Sequence, residues 1–136
     1  MEGALGYPLE GGALTGIAEM GFPEPPHPEA FVLAGDFNML EGSPEHAEIA
    51  GRPDHEFGMP LVATKAVDVA IRLSGGDSRA NALTTWVDPE RPADESRHKR
   101  IDYVFTSASL APRLKRLWVD RQAVGSDHLP VWLELE

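Results

Sequence analysis

Three short strings hold most of the residues able to do chemistry. The first, Gly35-Asp36-Phe37-Asn38, follows the apolar run Phe31-Val32-Leu33-Ala34. If the chain stays extended there, Asp36 and Asn38 project to one side and Phe37 to the other, so a carboxylate and an amide face one point while the ring anchors in the core. Gly35 carries no side chain, which lets a ligand approach the backbone. Alone, such a string reads as a strand end whose Asp and Asn cap a turn. The second, Arg100-Ile101-Asp102-Tyr103-Val104-Phe105, puts Ile101, Tyr103 and Phe105 on one strand face and Asp102 with Val104 on the other. An acid inside an apolar strand must be paired, or it costs roughly several kcal/mol. Arg100, on the same face, is the obvious structural partner; a histidine would be the functional one. The third, Ser126-Asp127-His128-Leu129-Pro130, supplies that histidine. Neighbours in an extended loop point opposite ways, so Asp127 and His128 reach different sides of a single site, and Pro130 stiffens the exit. An isolated Asp-His pair of this kind reads as a loop histidine. Three strings in order point to a shared site.

The elements that must position them are short. Phe31 to Ala34 reads as a strand buried on both faces. Ser43-Pro44-Glu45 combines an N-cap residue, a proline at the first helical position and an acid in the first turn, and Gly51 ends the segment, so a helix is expected over Pro44 to Ala50. A second helix is expected near Ala66 to Arg72, then a loop at Ser74-Gly75-Gly76-Asp77-Ser78. Leu114 to Asp120 reads as a strand, and Leu129, Val131, Leu133 and Leu135 alternate with polar or bulky neighbours in a C-terminal one. Residues 1 to 30 are rich in Gly and Pro and read as an irregular lead-in, with at most a helical turn at Leu14 to Met20. The domain proper is expected over residues 31 to 136.

Composition narrows the chemistry. The chain has 136 residues, with 12 Lys plus Arg against 22 Asp plus Glu, a net charge of −10. That charge argues against tight nonspecific binding to a polyanion, which draws on Lys and Arg displacing counterions. Phosphate chemistry in so acidic a chain calls for a metal. With no cysteine, disulfides, thiolate zinc sites and cysteine nucleophiles are excluded. No apolar run is long enough for a membrane span, and the acidic start Met1-Glu2-Gly3 does not resemble a signal peptide, so a cytoplasmic location is the default expectation.

Taken in order, the three strings resemble the C-terminal half of the endonuclease/exonuclease/phosphatase superfamily, which includes deoxyribonuclease I, apurinic/apyrimidinic endonucleases, neutral sphingomyelinases and inositol polyphosphate 5-phosphatases. Thr85-Trp86 is similar to the family's Thr-aromatic pair, although plain core packing is the stronger reading of it. The resemblance implies an α/β fold, the C-terminal half of a four-layer α/β/β/α sandwich, with a mixed sheet, part of another, and outer helices. It also implies hydrolysis of a phosphate ester by in-line attack of water, dependent on Mg²⁺ or Mn²⁺. Under it, Asp36 orients or deprotonates the water, Asn38 holds that water or a phosphoryl oxygen, Asp102 orients His128 and favours its protonated form, and Asp127 lies at the metal.

The family's first half carries an Asn, a principal metal-binding Glu and a further His or Tyr that have no counterpart here. Glu2, Glu10, Glu19, Glu24 and Glu29 lack the apolar strand context of that Glu, while His27, His46, His55 and His98 read as surface residues, His98 with a possible place near a phosphate. Three expectations compete: a fragment of a longer hydrolase, a half-domain completed by another chain, and an inactive binding module. In the first two, an uncovered apolar sheet face favours self-association or a missing half as partner, and the chain alone binds its metal weakly with at most trace activity. The substrate could be a small molecule, a lipid or a nucleic acid.

Overall fold

The computed structural model describes residues 21, 23, 29–51, 65–75 and 83–136. The apolar run before the first string forms strand β1 (Val32–Asp36). Helix α1 (Pro44–Ala50) follows as its cap predicts: the Ser43 hydroxyl accepts the His46 N–H, and Pro44 sits where no amide is needed. Strand β2 (Val67–Asp68) runs directly into helix α2 (Val69–Leu73). This helix begins later than the expected Ala66, because the Asp68 carboxylate accepts the N–H groups of Ala70 and Ile71 and fixes the start there. A 3-10 turn at Glu95–Arg97 precedes β3 (Asp102–Thr106). A second 3-10 segment, Ala108–Arg113, leads into β4 (Leu114–Val119), which pairs with β5 (Val131–Leu135). The Leu14–Met20 turn, His27, His55, the four acids from Glu2 to Glu24, and most of the 1–30 lead-in and the Ser74–Ser78 loop lie outside the described residues.

Strand β3 is the middle of a three-stranded sheet of order β1-β3-β2, and β4 with β5 forms a separate pair. The expected mixed sheet is corrected by this topology: every strand pair among the described residues is antiparallel. Strands β1 and β2 do run the same way, but β3 lies between them, so they share no ladder. The burial expected on both faces of β1 is also overturned. Val32, Ala34, Gly35 and Asp36 are exposed and only Leu33 is partly covered, because β1 is an edge strand among the described residues and only its Leu33 side packs against the core cluster.

The core lies under that covered side. Tyr103 and Phe105, successive residues on one face of β3, stack at 5.5 Å, and Phe37 meets both rings edge-on. Met39, Ala50 and Ala66 complete the cluster. Phe105 is fully buried, so its truncation to alanine should cost about 3–5 kcal/mol. Helix α2 contributes Ala70 and Ile71 to a second cluster with Leu83 and Leu117, and Leu117 ties the β4-β5 pair to the rest. No helix among the described residues is long and apolar enough to cross a membrane.

Candidate active site

Asp36 ends β1 and Asp102 begins β3, and the two are direct cross-strand partners. Like charges placed so are unfavourable unless something positive lies between them. His128 occupies that place. Its Nδ1–H donates to Asp102, at 2.9 Å from Oδ2 and 3.1 Å from Oδ1, which turns Nε2 toward Asp36 Oδ2 at 3.9 Å. One ligand atom from each of the three residues lies within 4.8 Å of the others. The hydrogen bond to Asp102 holds the imidazole above its ordinary titration range; burial opposes this, and the charges of Asp102, Asp36 and Asp127 add to it. The His128 side chain stays 34% exposed, so the cluster is open to a ligand.

Thr85 welds the histidine to the sheet. Its buried hydroxyl accepts the N–H groups of both Ile101 and Asp102, while its carbonyl accepts the Leu129 N–H at 2.7 Å. Thr85 N–H donates to Lys99 O, and Val87 N–H to Asp127 O. One short extended segment thereby fixes the start of β3 and the 127–129 loop together. The Ser126 hydroxyl accepts the His128 N–H and sets the loop's bend. Thr85 is thus neither plain core packing nor a reacting group in this geometry; it is the polar strut between two of the strings.

The other expected residues lie nearby in different ways. The chain does not stay extended through Asn38, whose φ is 51° and whose N–H donates to Asp36 Oδ1 at 2.8 Å. The ladder ends at Asp36, one backbone bond from Phe37 N–H to Ile101 O continues the pairing, and then an Asp-closed turn takes over. Phe37 still anchors in the core. The Asp127 carboxylate is outside the three-residue group, and its Oδ2 accepts the Trp86 indole N–H at 2.9 Å. A shallow groove of about 540 Å³ opens beside it, lined by Val87, Pro89, Pro92, Gly125, Ser126 and Asp127.

Arg100 does not pair with Asp102. Its guanidinium grips Asp68 as a fork, Nη1 to Oδ1 at 3.2 Å and Nη2 to Oδ2 at 3.0 Å, and Nη2 also donates to Glu41 at 2.9 Å. The reason is position: Arg100 precedes the first ladder residue of β3, and its side chain folds over the Tyr103 ring at 4.3 Å, away from the histidine. His46 is corrected in the same way. It is buried, not on the surface, with Nε2 2.9 Å from Asp68 Oδ2 and Nδ1 facing the Gly42 N–H. Burial works against the Asp68 charge, yet the His46 hydrogen bond and Arg100 together hold this carboxyl below its ordinary range. His98 is half-buried, and its Nε2 pairs with the Pro92 carbonyl. The sequence reading missed Asp68, although it carries the signal that marked Asp102: an acid between apolar residues, here Val67 and Val69.

A model of the Endonuclease/Exonuclease/phosphatase family matches residues 21–128. The chain belongs to this family. Its members are generally hydrolases, usually dependent on divalent metals, on a deoxyribonuclease I-like α/β fold. No curated protein matches the chain. The site fits the family's metal dependence in donor chemistry, since Asp36, with Asp127 nearby, offers hard carboxylate oxygens of the kind Mg²⁺ and Mn²⁺ take, while Asp102 is engaged by His128.

Proposed function

We propose that this chain hydrolyses a phosphate ester by in-line attack of water, with Mg²⁺ or Mn²⁺ as cofactor. The observation that carries the reading is the Asp36–Asp102–His128 cluster, in which a histidine favoured in its protonated form presents Nε2 to an open face. In this role Nε2–H donates to a phosphoryl oxygen as negative charge develops on it. Asp102 is the positioning residue that fixes the ring through Nδ1. Asp36 orients the water and takes its proton, and the Asn38 amide holds the water or a phosphoryl oxygen. The bound cation supplies polarisation of the phosphoryl oxygen and stabilisation of the leaving oxygen. Asp36 and the Asp127 oxygen that the indole does not take would hold it.

Two fixed carboxylates make a thin oxygen shell for a cation that gives up water reluctantly. We infer that a further carboxylate, from elsewhere in the chain or from a second polypeptide, completes it, in keeping with a four-layer sandwich of which these two sheets form one part. The exposed face of β1 is where such a polypeptide would dock. Asp102 and His128 weigh against an inactive binding module, which has no need of a charged pair between strands. The test is turnover of a chromogenic phosphodiester with Mn²⁺: activity should vanish with EDTA and fall sharply in His128→Ala. Activity that survives both would overturn the reading.

A further inference from the structure

The Asn38 turn is held by three ties to β3 and its approach, and the third depends on a buried charge. Phe37 N–H donates to Ile101 O at 3.0 Å, Tyr103 Oη–H donates to Met39 O at 3.1 Å, and Arg100 Nη2 donates to Glu41 Oε2 at 2.9 Å. The first two bracket Asn38 closely, whereas the last closes the turn three residues on. Arg100 is itself immobile. Its side chain is 4% exposed, and Asp68, 1% exposed, accepts from both guanidinium nitrogens, from His46 and from the first amides of α2. Only a planar fork with a donor to spare can grip one carboxylate and reach a second; a lysine ammonium has neither the shape nor the span.

We propose that Arg100, gripped by Asp68, is a positioning residue that sets the Asp36–Asn38 turn through Glu41. The inference rests on the phosphoesterase reading for its consequence in catalysis, but its structural part stands apart from it. None of Arg100, Asp68 and Glu41 belongs to the Asp36–Asp102–His128 cluster. They act on the site by fixing a left-handed residue whose backbone a non-glycine side chain disfavours, and which needs its surroundings to hold it.

The decisive variant is Glu41→Gln, which keeps size and removes the charge from the carboxylate that Arg100 Nη2 reaches. Arg100→Lys is the second, stronger variant. Amide hydrogen exchange at Phe37 and Asn38 should speed about tenfold or more in Glu41→Gln, while amides in β5 keep their rates. With a chromogenic phosphodiester and Mn²⁺, kcat should fall about tenfold with KM nearly unchanged, since small misplacements of a reacting group cost rate steeply. Exchange that is unaltered, or that speeds uniformly across the sheets, overturns the positioning role, as does local loosening with kcat intact. Where the parent chain turns over too slowly to measure, as an incomplete metal site predicts, the exchange rates alone decide whether Arg100 holds the turn.

Discussion

Among the described residues, two aspartate–histidine pairs have the same 2.9 Å separation and opposite surroundings. In His46–Asp68 the carboxylate is saturated: it accepts from the imidazole, from both guanidinium nitrogens of Arg100 and from two backbone amides, and both side chains are sealed from solvent. In His128–Asp102 the second ring nitrogen faces a further carboxylate across an open face. The distance alone therefore says nothing of role. What separates a structural pair from a reactive one is the unspent hydrogen-bonding capacity that remains after folding, and whether a ligand can reach it.

The largest expected difference between the pairs appears in stability. Asp68→Ala leaves the buried Arg100 guanidinium with Glu41 alone and His46 without its acceptor, and breaking a buried charge pair from one side costs about 3–5 kcal/mol. Denaturant unfolding checks this, with Asp102→Ala as the comparison and a much smaller loss expected from its more open site. The acid limb gives a second reading of the same carboxylate. Because the folded state lowers the Asp68 titration, its contribution is present above the unfolded carboxyl value of about 3.9 and is lost as pH falls through the lower folded one.

Next comes turnover, where the order reverses. His128→Ala should lower it on the order of 10²- to 10³-fold, as expected for loss of a preorganised donor. His46→Ala should act through stability and leave the rate of the folded protein largely intact. Asp102→Asn acts only through the ring, so the double variant with His128→Ala should be little worse than His128→Ala itself. Strictly additive losses would show that the two residues do not work as a unit.

A smaller effect tests how the open pair is built. Thr85→Val leaves the Ile101 and Asp102 amides without their shared acceptor, at a cost of about 1–3 kcal/mol for an unsatisfied buried donor. Thermal unfolding reads the loss. The 127–129 loop should loosen with it, visible as faster exchange of the Leu129 amide, which donates to Thr85 O. A protected Leu129 amide in that variant would show that the loop is held by other contacts.

The contrast between the pairs also explains what the sequence made legible. Asp36, Asp102 and His128 each sit in a local string whose oddity is visible without the fold, such as an acid in an apolar strand or a histidine before a strand. The helix over Pro44–Ala50 was legible for the same reason, since cap, proline and terminal glycine are all local. The buried network was not. Asp68 meets His46 across 22 residues and Arg100 across 32, and nothing local tells a surface histidine from one that a distant carboxylate will draw inside. Naming Arg100 as the structural alternative to a histidine partner for Asp102 followed strand alternation, a sound rule within a ladder, but Arg100 lies just outside it. Alternation failed at Asn38 for the same cause: the turn begins where the ladder stops.

The smallest expected effect is the pH dependence of the open pair, and its direction distinguishes the two pairs most cleanly. The Asp102 hydrogen bond raises the folded His128 titration above the unfolded value of about 6.5. A raised folded value means that the native state binds the proton more tightly, so this contribution to stability is fully present below pH 6.5 and is lost as pH rises through the folded value. The Asp68 contribution fades toward acid, so the two pairs weaken at opposite ends of the range. Because His128 is partly exposed, solvent screening keeps its share small. The same proton governs the proposed chemistry. Turnover should hold on the acid side of the folded His128 value and decline as Nε2 loses its hydrogen. Direct observation of the His128 ring by NMR across pH 5 to 9 should give a midpoint above that of an unstructured histidine, and Asp102→Asn should bring it down. A midpoint at or below the ordinary value would mean that Asp102 orients the ring without favouring its charge, and the alkaline decline in turnover would then need another group.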